Sequence, residues 1–191
     1  MAPLGAEADA WQIGERRLEL ILGDITRQVV DAVANAANTS LRGGGGVDGA
    51  IHAAAGPALL DELKRRYPDG TPTGTAVETS GHDLLAPWIL HAVGPLWRGG
   101  NRNEADLLAG AYRSCLRLAD QLGARTVAFP AISLGIYGYP LDEGARVALA
   151  TVSDHLRGET GVTVARFVLR DATYPAFATA LQELRGRQIR G

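Results

Sequence analysis

Asn35–Gly56 reads NAANTSLRGGGGVDGAIHAAAG. Its first half is polar, its middle holds the run Gly43, Gly44, Gly45, Gly46, and its second half has the pattern of a short helix stopped by Gly56-Pro57. Glycine lacks a Cβ, so such a run lets the backbone come close to a ligand and turn its N–H groups toward it. The run leads straight into a helix N-terminus, where unpaired N–H groups and the helix dipole favour an anion such as phosphate. A flexible linker is the other meaning of a glycine run. It fits poorly here, because the flanking segments look packed and no domain boundary lies nearby.

Asp48 follows the glycines and carries two open readings, as a cap of the helix or as a ligand contact. His52 lies four residues further on and shares its helix face; a lone histidine there is more often a structural hydrogen-bonding group than a catalyst.

Outward from this stretch, strands alternate with helices. RLELILGDIT reads as a strand over Leu18–Leu22 ending at Gly23-Asp24, and a short strand follows at Ala32–Ala34. Downstream, PALLDELKRRY is a helix with Pro57 at its start, where a missing N–H costs nothing. GTAVETSG and PWILHAVGP are strands rich in β-branched and aromatic residues. In NEADLLAGAYRSCLRLADQLG, the residues Leu108, Ala111, Tyr112, Cys115, Leu118, Ala119 and Leu122 recur at helical spacing, and Gly123 stops the run. RTVAFPA and VTVARFVLR are strands; PLDEGARVALATVSDHLRG and YPAFATALQELRG are helices. Alternation of this kind predicts one α/β domain in which helices cover a largely parallel sheet. Residues 1–16 read as a loose leader ahead of a domain over 17–191, with Trp11 and Ile13 either docking on the body or starting an edge strand.

Two further stretches are too polar or too glycine-rich for their place. Gly23-Asp24-Ile25-Thr26 ends the first strand, where open α/β sheets bind ligands. Asp24 there could accept a hydrogen bond from an exocyclic amine, or simply shape a turn. Ser133-Leu134-Gly135-Ile136-Tyr137-Gly138-Tyr139-Pro140 joins a strand to a helix. Its glycines free N–H groups for an anion, and Tyr137 is placed to close over a ligand; as an ordinary connection, Tyr137 and Tyr139 would be core aromatics.

Composition narrows the function classes. The chain has 191 residues, 46% of them hydrophobic, enough for one unstapled core. A formal net charge of -2 gives no basic field, so nucleic-acid binding is not indicated. Cys115 stands alone, without a disulfide partner or a metal cluster, and His52, His82, His91 and His155 are not at zinc spacing, so no metal is expected. No apolar run suggests a membrane span and the N-terminus shows no secretory pattern, which together point to the cytoplasm.

Competing motifs fail on detail. Gly44-x-Gly46-x-x-Gly49 fits a dinucleotide fingerprint, but that pattern should follow a strand directly and precede a strand-ending acid. Here a polar loop intervenes, and Asp61 and Glu62 fall in a helix. Ser133 lacks the G-x-S-x-G setting of a nucleophile elbow.

At these residues the chain resembles the macrodomain family, and within it the MacroD-type branch that includes bacterial O-acetyl-ADP-ribose deacetylases. The likeness runs from about Leu18 to Leu184 and rests on NAANTSLRGGGGVDGAIHAAAG, with GDIT, LHAVGP and ISLGIYGYP in the expected order. It implies a three-layer α/β/α fold with a mixed, largely parallel sheet of about six strands. It also implies ADP-ribose binding and hydrolysis of ADP-ribose esters by activated water, with a non-catalytic ADP-ribose reader as the alternative.

By the same resemblance, Asp24 would meet the adenine amino group beside the Ile25 backbone. Gly44, Gly45, Gly46 and Val47 would approach the pyrophosphate from one side, and Ser133, Gly135, Ile136 and Tyr137 from the other. Asn38 would hold the distal ribose, Asp48 would orient or activate water, and His52 would support Asp48. The partners implied are ADP-ribose, its esters and ADP-ribosylated proteins, with no cofactor. Departures stand at RRYPDGTPTGTAV, which lacks the cysteines of metal-dependent relatives, and at Arg170-Asp171, where some macrodomains carry an aromatic. Lys64, the chain's sole lysine, lies in a charged helical run far from the loops.

Overall fold

The structure, a computed structural model, describes residues 9–188. Seven strands form one sheet: β1 (Ala10–Ile13), β2 (Arg16–Leu22), β3 (Ala32–Ala37), β4 (Ala76–Ser80), β5 (Trp88–Val93), β6 (Thr126–Phe129) and β7 (Val164–Leu169). Five helices accompany them: α1 (Gly46–Ala55), α2 (Ala58–Arg66), α3 (Glu104–Leu122), α4 (Leu141–Arg157) and α5 (Tyr174–Gln188). The spatial order is β1-β2-β7-β6-β3-β5-β4. The strands from β2 to β5 pair in parallel, and the two edge strands β1 and β4 pair antiparallel to their neighbours.

Side chains of the central strands alternate between two cores, as the two-residue period of a strand requires. Ala32 and Ala34 of β3, Leu90 and Ala92 of β5, and Phe167 and Leu169 of β7 enter the core under α3, α4 and α5. Val33 and Ala37, Ile89 and Val93, and Val168 enter the core under α1 and α2. Helices thus cover both faces, which is why these strands are apolar almost throughout. In the larger core Tyr112, Phe129, Phe167 and Phe177 pack as tilted rings with neighbouring centroids 5.1 to 5.8 Å apart.

Two expectations need correction. The sheet has seven strands where about six were expected, and the added one, β1, is the edge strand that Trp11 and Ile13 left open within the stretch read as a leader. Trp11 and Ile13 are buried beneath it, and the Arg157 guanidinium covers the Trp11 ring. A strand with two inward residues is too short to give a period in sequence. Residues 1–8 of that stretch lie outside the described residues. The second correction concerns β3, which runs on to Ala37, so Asn35 is a buried strand residue and the polar loop begins at Asn38.

Candidate active site

Because β2, β3, β5, β6 and β7 run in parallel, the segments after them emerge at one end of the sheet, the ordinary place for a ligand in this architecture. After β2, Asp24 caps a single 3-10 turn, Ile25–Arg27: its Oδ1 accepts from the Thr26 N–H at 2.9 Å and the Thr26 hydroxyl at 2.7 Å. Those bonds with Thr26 hold its carboxyl below the ordinary carboxylate range, with Arg27 and Arg170 adding to the effect. Shaping the turn leaves Asp24 free to meet an amine as well, since Oδ1 holds the turn while the residue stays exposed. The Ile25 side chain is buried in the core under α1 and α2, leaving its backbone for any ligand.

The glycine loop is organised from Asn38. Its Oδ1 accepts from the Leu41 N–H at 3.0 Å and the Ser40 hydroxyl at 2.7 Å, and its Nδ2 donates to the Gly43 carbonyl at 2.9 Å. Leu41 is buried beneath the loop. The loop enters α1 through Gly45 at the cap position, and no side chain caps the helix. Asp48 is not the cap; it sits in the first turn with its carboxylate turned to the interior. Asp48 Oδ1 accepts from Asn35 Nδ2 at 2.7 Å and lies 3.4 Å from His52 Nε2. The other oxygen lies by Gly44: a Cβ placed there would stand 3.2 Å from Asp48 Oδ2 and 3.6 Å from Asn38 Nδ2. Asp48 Oδ2 and Asn38 thus look onto one small space above Gly44.

The loop after β6 forms the opposite wall. It is anchored by Tyr112, whose hydroxyl donates to the Pro130 carbonyl at 3.1 Å and accepts from the Ile132 N–H at 3.0 Å. Ser133 follows in the left-handed region (φ 67°), a strained conformation of the kind that gathers at functional sites, and its buried hydroxyl has no protein partner among the described residues. Ile136 is 79% exposed and leans across the cleft, its Cδ1 3.5 Å from where a Cβ on Gly45 would be. Gly135 is exposed beside it. The Tyr137 carbonyl accepts from the Trp97 N–H at 2.9 Å, and Tyr137 is half-buried. Tyr139 is the core aromatic of the pair, packed on Trp97 with centroids 4.7 Å apart.

The structure therefore brings Asn38, Gly44, Asp48 and His52 together, and sets Gly45 and Gly46 against Ile136. Val47 packs partly into the core under α1 and α2. Asp24 stands apart at the same sheet end. Asn35 and His91, not singled out as site residues from sequence, lie side by side on β3 and β5. Asn35 Nδ2 is 3.2 Å from His91 Nδ1, and His91 Nε2 is 2.8 Å from Thr79 Oγ1. A histidine inside the apolar run WILHAV was the available signal.

Burial, with a smaller effect from His52, pushes the His91 imidazole down to about 3 from 6.5. In that interval the unfolded chain takes up a proton that the folded chain refuses, so this contribution to stability falls as pH is lowered. Urea unfolding should show His91 costing roughly 2 kcal/mol between pH 6.5 and about pH 5, at about 1.4 kcal/mol per unit. His91→Gln should flatten that slope; an unchanged slope would mean the ring is charged or hydrated in the fold.

A broad depression of about 840 Å³ lies at the opposite end of the sheet, beside Gly14, Arg16 and Thr163. Arg16 there already donates to the carbonyls of Leu156, Gly158 and Thr160. It holds none of the polar loops described above.

Residues 34–148 match the Macro domain family. A macro domain-containing protein of Caldanaerobacter subterraneus is 51% identical over 173 residues, covering 89% of this chain and 98% of that protein. An O-acetyl-ADP-ribose deacetylase of Salmonella gallinarum is 58% identical over 142 residues, covering 73% of this chain and 79% of that protein. Among solved structures, the Oceanobacillus iheyensis macrodomain with ADP superposes with a TM-score of 0.88 at 38% identity, covering 93% of this chain and 96% of that one. The Trypanosoma brucei macrodomain in complex with ADP-ribose gives 0.79 at 38% identity, over 86% of this chain and 68% of that one. With the same mixed sheet, a glycine loop feeding α1 and a facing loop after β6, this chain belongs to the macro domain family, in its MacroD-type branch.

Proposed function

We propose that the chain binds ADP-ribose and hydrolyses ADP-ribose esters, releasing ADP-ribose and a carboxylate. The observation that carries this reading is the Asp48 carboxylate, held through Oδ1 by Asn35 with its Oδ2 beside Gly44 and Asn38. The uncapped N-terminus of α1 and the Ser133–Tyr137 loop flank that space, a setting for a diphosphate between two walls of N–H groups. Contacts to the diphosphate supply binding energy that positions the distal ribose and its ester.

Water between Asp48 Oδ2 and Asn38 attacks the ester. Asp48 takes its proton as a new carbon–oxygen bond forms, and the proton returns to the departing oxygen as the old bond breaks. His52 flanks Oδ1 and no cofactor enters the scheme. The ester partner is an acetyl group or an acidic side chain of an ADP-ribosylated protein. Support comes from the relatives named as O-acetyl-ADP-ribose deacetylases and from neighbours solved with ADP and ADP-ribose.

Turnover measured side by side with O-acetyl-ADP-ribose and a glutamate-ADP-ribosylated protein tests the reaction. Hydrolysis of at least one is expected; tight binding of ADP-ribose with hydrolysis of neither makes the chain a reader. Calorimetry should find AMP, which lacks the second phosphate and distal ribose, weaker than ADP-ribose, and equal affinities would remove the two-walled diphosphate site.

For the adenine end, Asp24→Ala is expected to weaken ADP-ribose binding by about 1–3 kcal/mol, the usual effect of removing a charged hydrogen-bond partner. The fold should survive, because the side chain is exposed and shapes only a single turn. Unchanged affinity with a large fall in Tm would assign Asp24 to turn formation alone.

A further inference from the structure

On the reading that Asp48 activates water, the polar chain behind it gains a role. We propose that Asn35, His91 and Thr79 form a directional hydrogen-bond relay, reaching from β4 across β5 and β3, that locks Asp48 with Oδ1 inward and Oδ2 toward the cleft; all three are positioning residues for the reaction.

The direction of the relay follows from one end. An ionised carboxylate only accepts, so the group that Asn35 presents to Asp48 Oδ1 at 2.7 Å is its NH2. The same nitrogen is 3.2 Å from His91 Nδ1 and sends its second hydrogen there, so Nδ1 is an acceptor. His91 therefore carries its proton on Nε2 and donates it to Thr79 Oγ1 at 2.8 Å; Thr79 in turn donates to the Ser80 carbonyl at 3.1 Å. Each donor has one acceptor, and reversing the imidazole tautomer would set donor against donor at Asn35.

Strand register builds this arrangement. Asn35 pairs with His91 on adjacent parallel strands, and both face α1, the helix that carries Asp48 and His52. Asn35, Thr79 and His91 are fully buried. Burying three polar side chains costs stability that apolar residues at the same places would not. Asn35 even leaves its own Oδ1 buried without a protein partner among the described residues, so its carboxamide is not satisfied for its own sake. What its place achieves is a fixed donor against one oxygen of Asp48, with His52 3.4 Å from that same oxygen. These contacts set the plane of the carboxylate, with one oxygen on Asn35 and the other beside Gly44.

The test compares Asn35→Ala, His91→Leu and His91→Gln in steady-state turnover of O-acetyl-ADP-ribose. Asn35→Ala and His91→Leu should lower kcat by at least about 10-fold, the scale seen when groups that orient a functional side chain are removed. KM and ADP-ribose affinity should stay within about twofold. His91→Gln, whose amide offers an acceptor and a donor in the same order, should recover most of kcat. On an Asp48→Ala background, Asn35→Ala should have no further effect. Unchanged kcat, a matching loss of binding, or an undiminished effect without Asp48 would overturn the proposal. A second arm needs neither substrate nor variants: nitrogen NMR of the wild-type chain should show His91 protonated at Nε2 and bare at Nδ1. The opposite tautomer overturns the relay even if the variants fail to fold. A wild-type chain that hydrolyses neither ester, with the expected tautomer, instead fails the catalytic reading and takes the positioning role down with it.

Discussion

Asp48→Ala should cut turnover of an ADP-ribose ester by at least roughly 100-fold, the lower end of what a general base supplies. ADP-ribose binding should persist or tighten, since the variant removes a negative charge from the neighbourhood of a diphosphate. The expectation rests on placement. Asp48 is 5% exposed, is held through Oδ1 by Asn35, and offers Oδ2 to the space beside Asn38. Alanine removes that oxygen while α1 keeps its start, because Gly45 and not Asp48 occupies the cap position. The variant does leave the Asn35 NH2 with one acceptor fewer, at about 1–3 kcal/mol, which a typical domain survives. Single-turnover kinetics on folded protein, beside calorimetry with ADP-ribose, separates these effects. Turnover within about threefold of wild type would leave Asp48 a structural acceptor for Asn35 and nothing more.

A second large effect is expected outside the reacting groups, at Gly70. A Cβ there would lie 1.9 Å from the Thr39 carbonyl oxygen, and the backbone sits at φ 73°. That carbonyl already accepts from the Thr71 N–H at 2.9 Å, so neither chain can yield without breaking a bond. Gly70→Ala combines overpacking with a left-handed non-glycine residue, together about 2–4 kcal/mol. For a chain of this size Tm should fall by about 4–16 °C. Thr39 adjoins Asn38, so the glycine loop should shift as well, and ester turnover should fall in the fraction that remains folded. Gly14→Ala is the control: its φ is 60°, but no described residue lies within 4 Å of the added carbon, so only the conformational cost of about 1 kcal/mol applies. Equal melting temperatures for the two variants would show that the 67–75 segment moves freely away from Thr39.

Much of this architecture was legible along the chain, for a local reason. The helix Glu104–Leu122 declares itself because Leu108, Ala111, Tyr112, Cys115 and Ala119 repeat on one face, and all are buried as that spacing requires. The run from Gly43 to Gly46 and the pair Asp48 and His52 were likewise visible, since glycine freedom and four-residue helical spacing are properties of neighbours in sequence. The family resemblance drew on the same local stretches.

Other features had no local signature. β1 pairs with the neighbouring β2, but the core that takes Trp11 and Ile13 is made largely by residues more than a hundred positions away. Whether Asp48 capped its helix or faced the interior depended on a donor across the sheet, and Asn35 became that donor only when β3 continued to Ala37 and paired with β5. Which carboxylate oxygen looks into the cleft, which nitrogen of His91 carries the proton, and that Ile136 leans over Gly45 were likewise decided in the tertiary structure. The sequence by itself determined the elements, their order and the candidate loops, because propensity and periodicity act within a few residues. Tertiary structure decided how those loops and buried polar groups are paired, because strand register and burial join residues as distant as Asn35 and His91, and a buried donor must take whatever acceptor that register sets beside it.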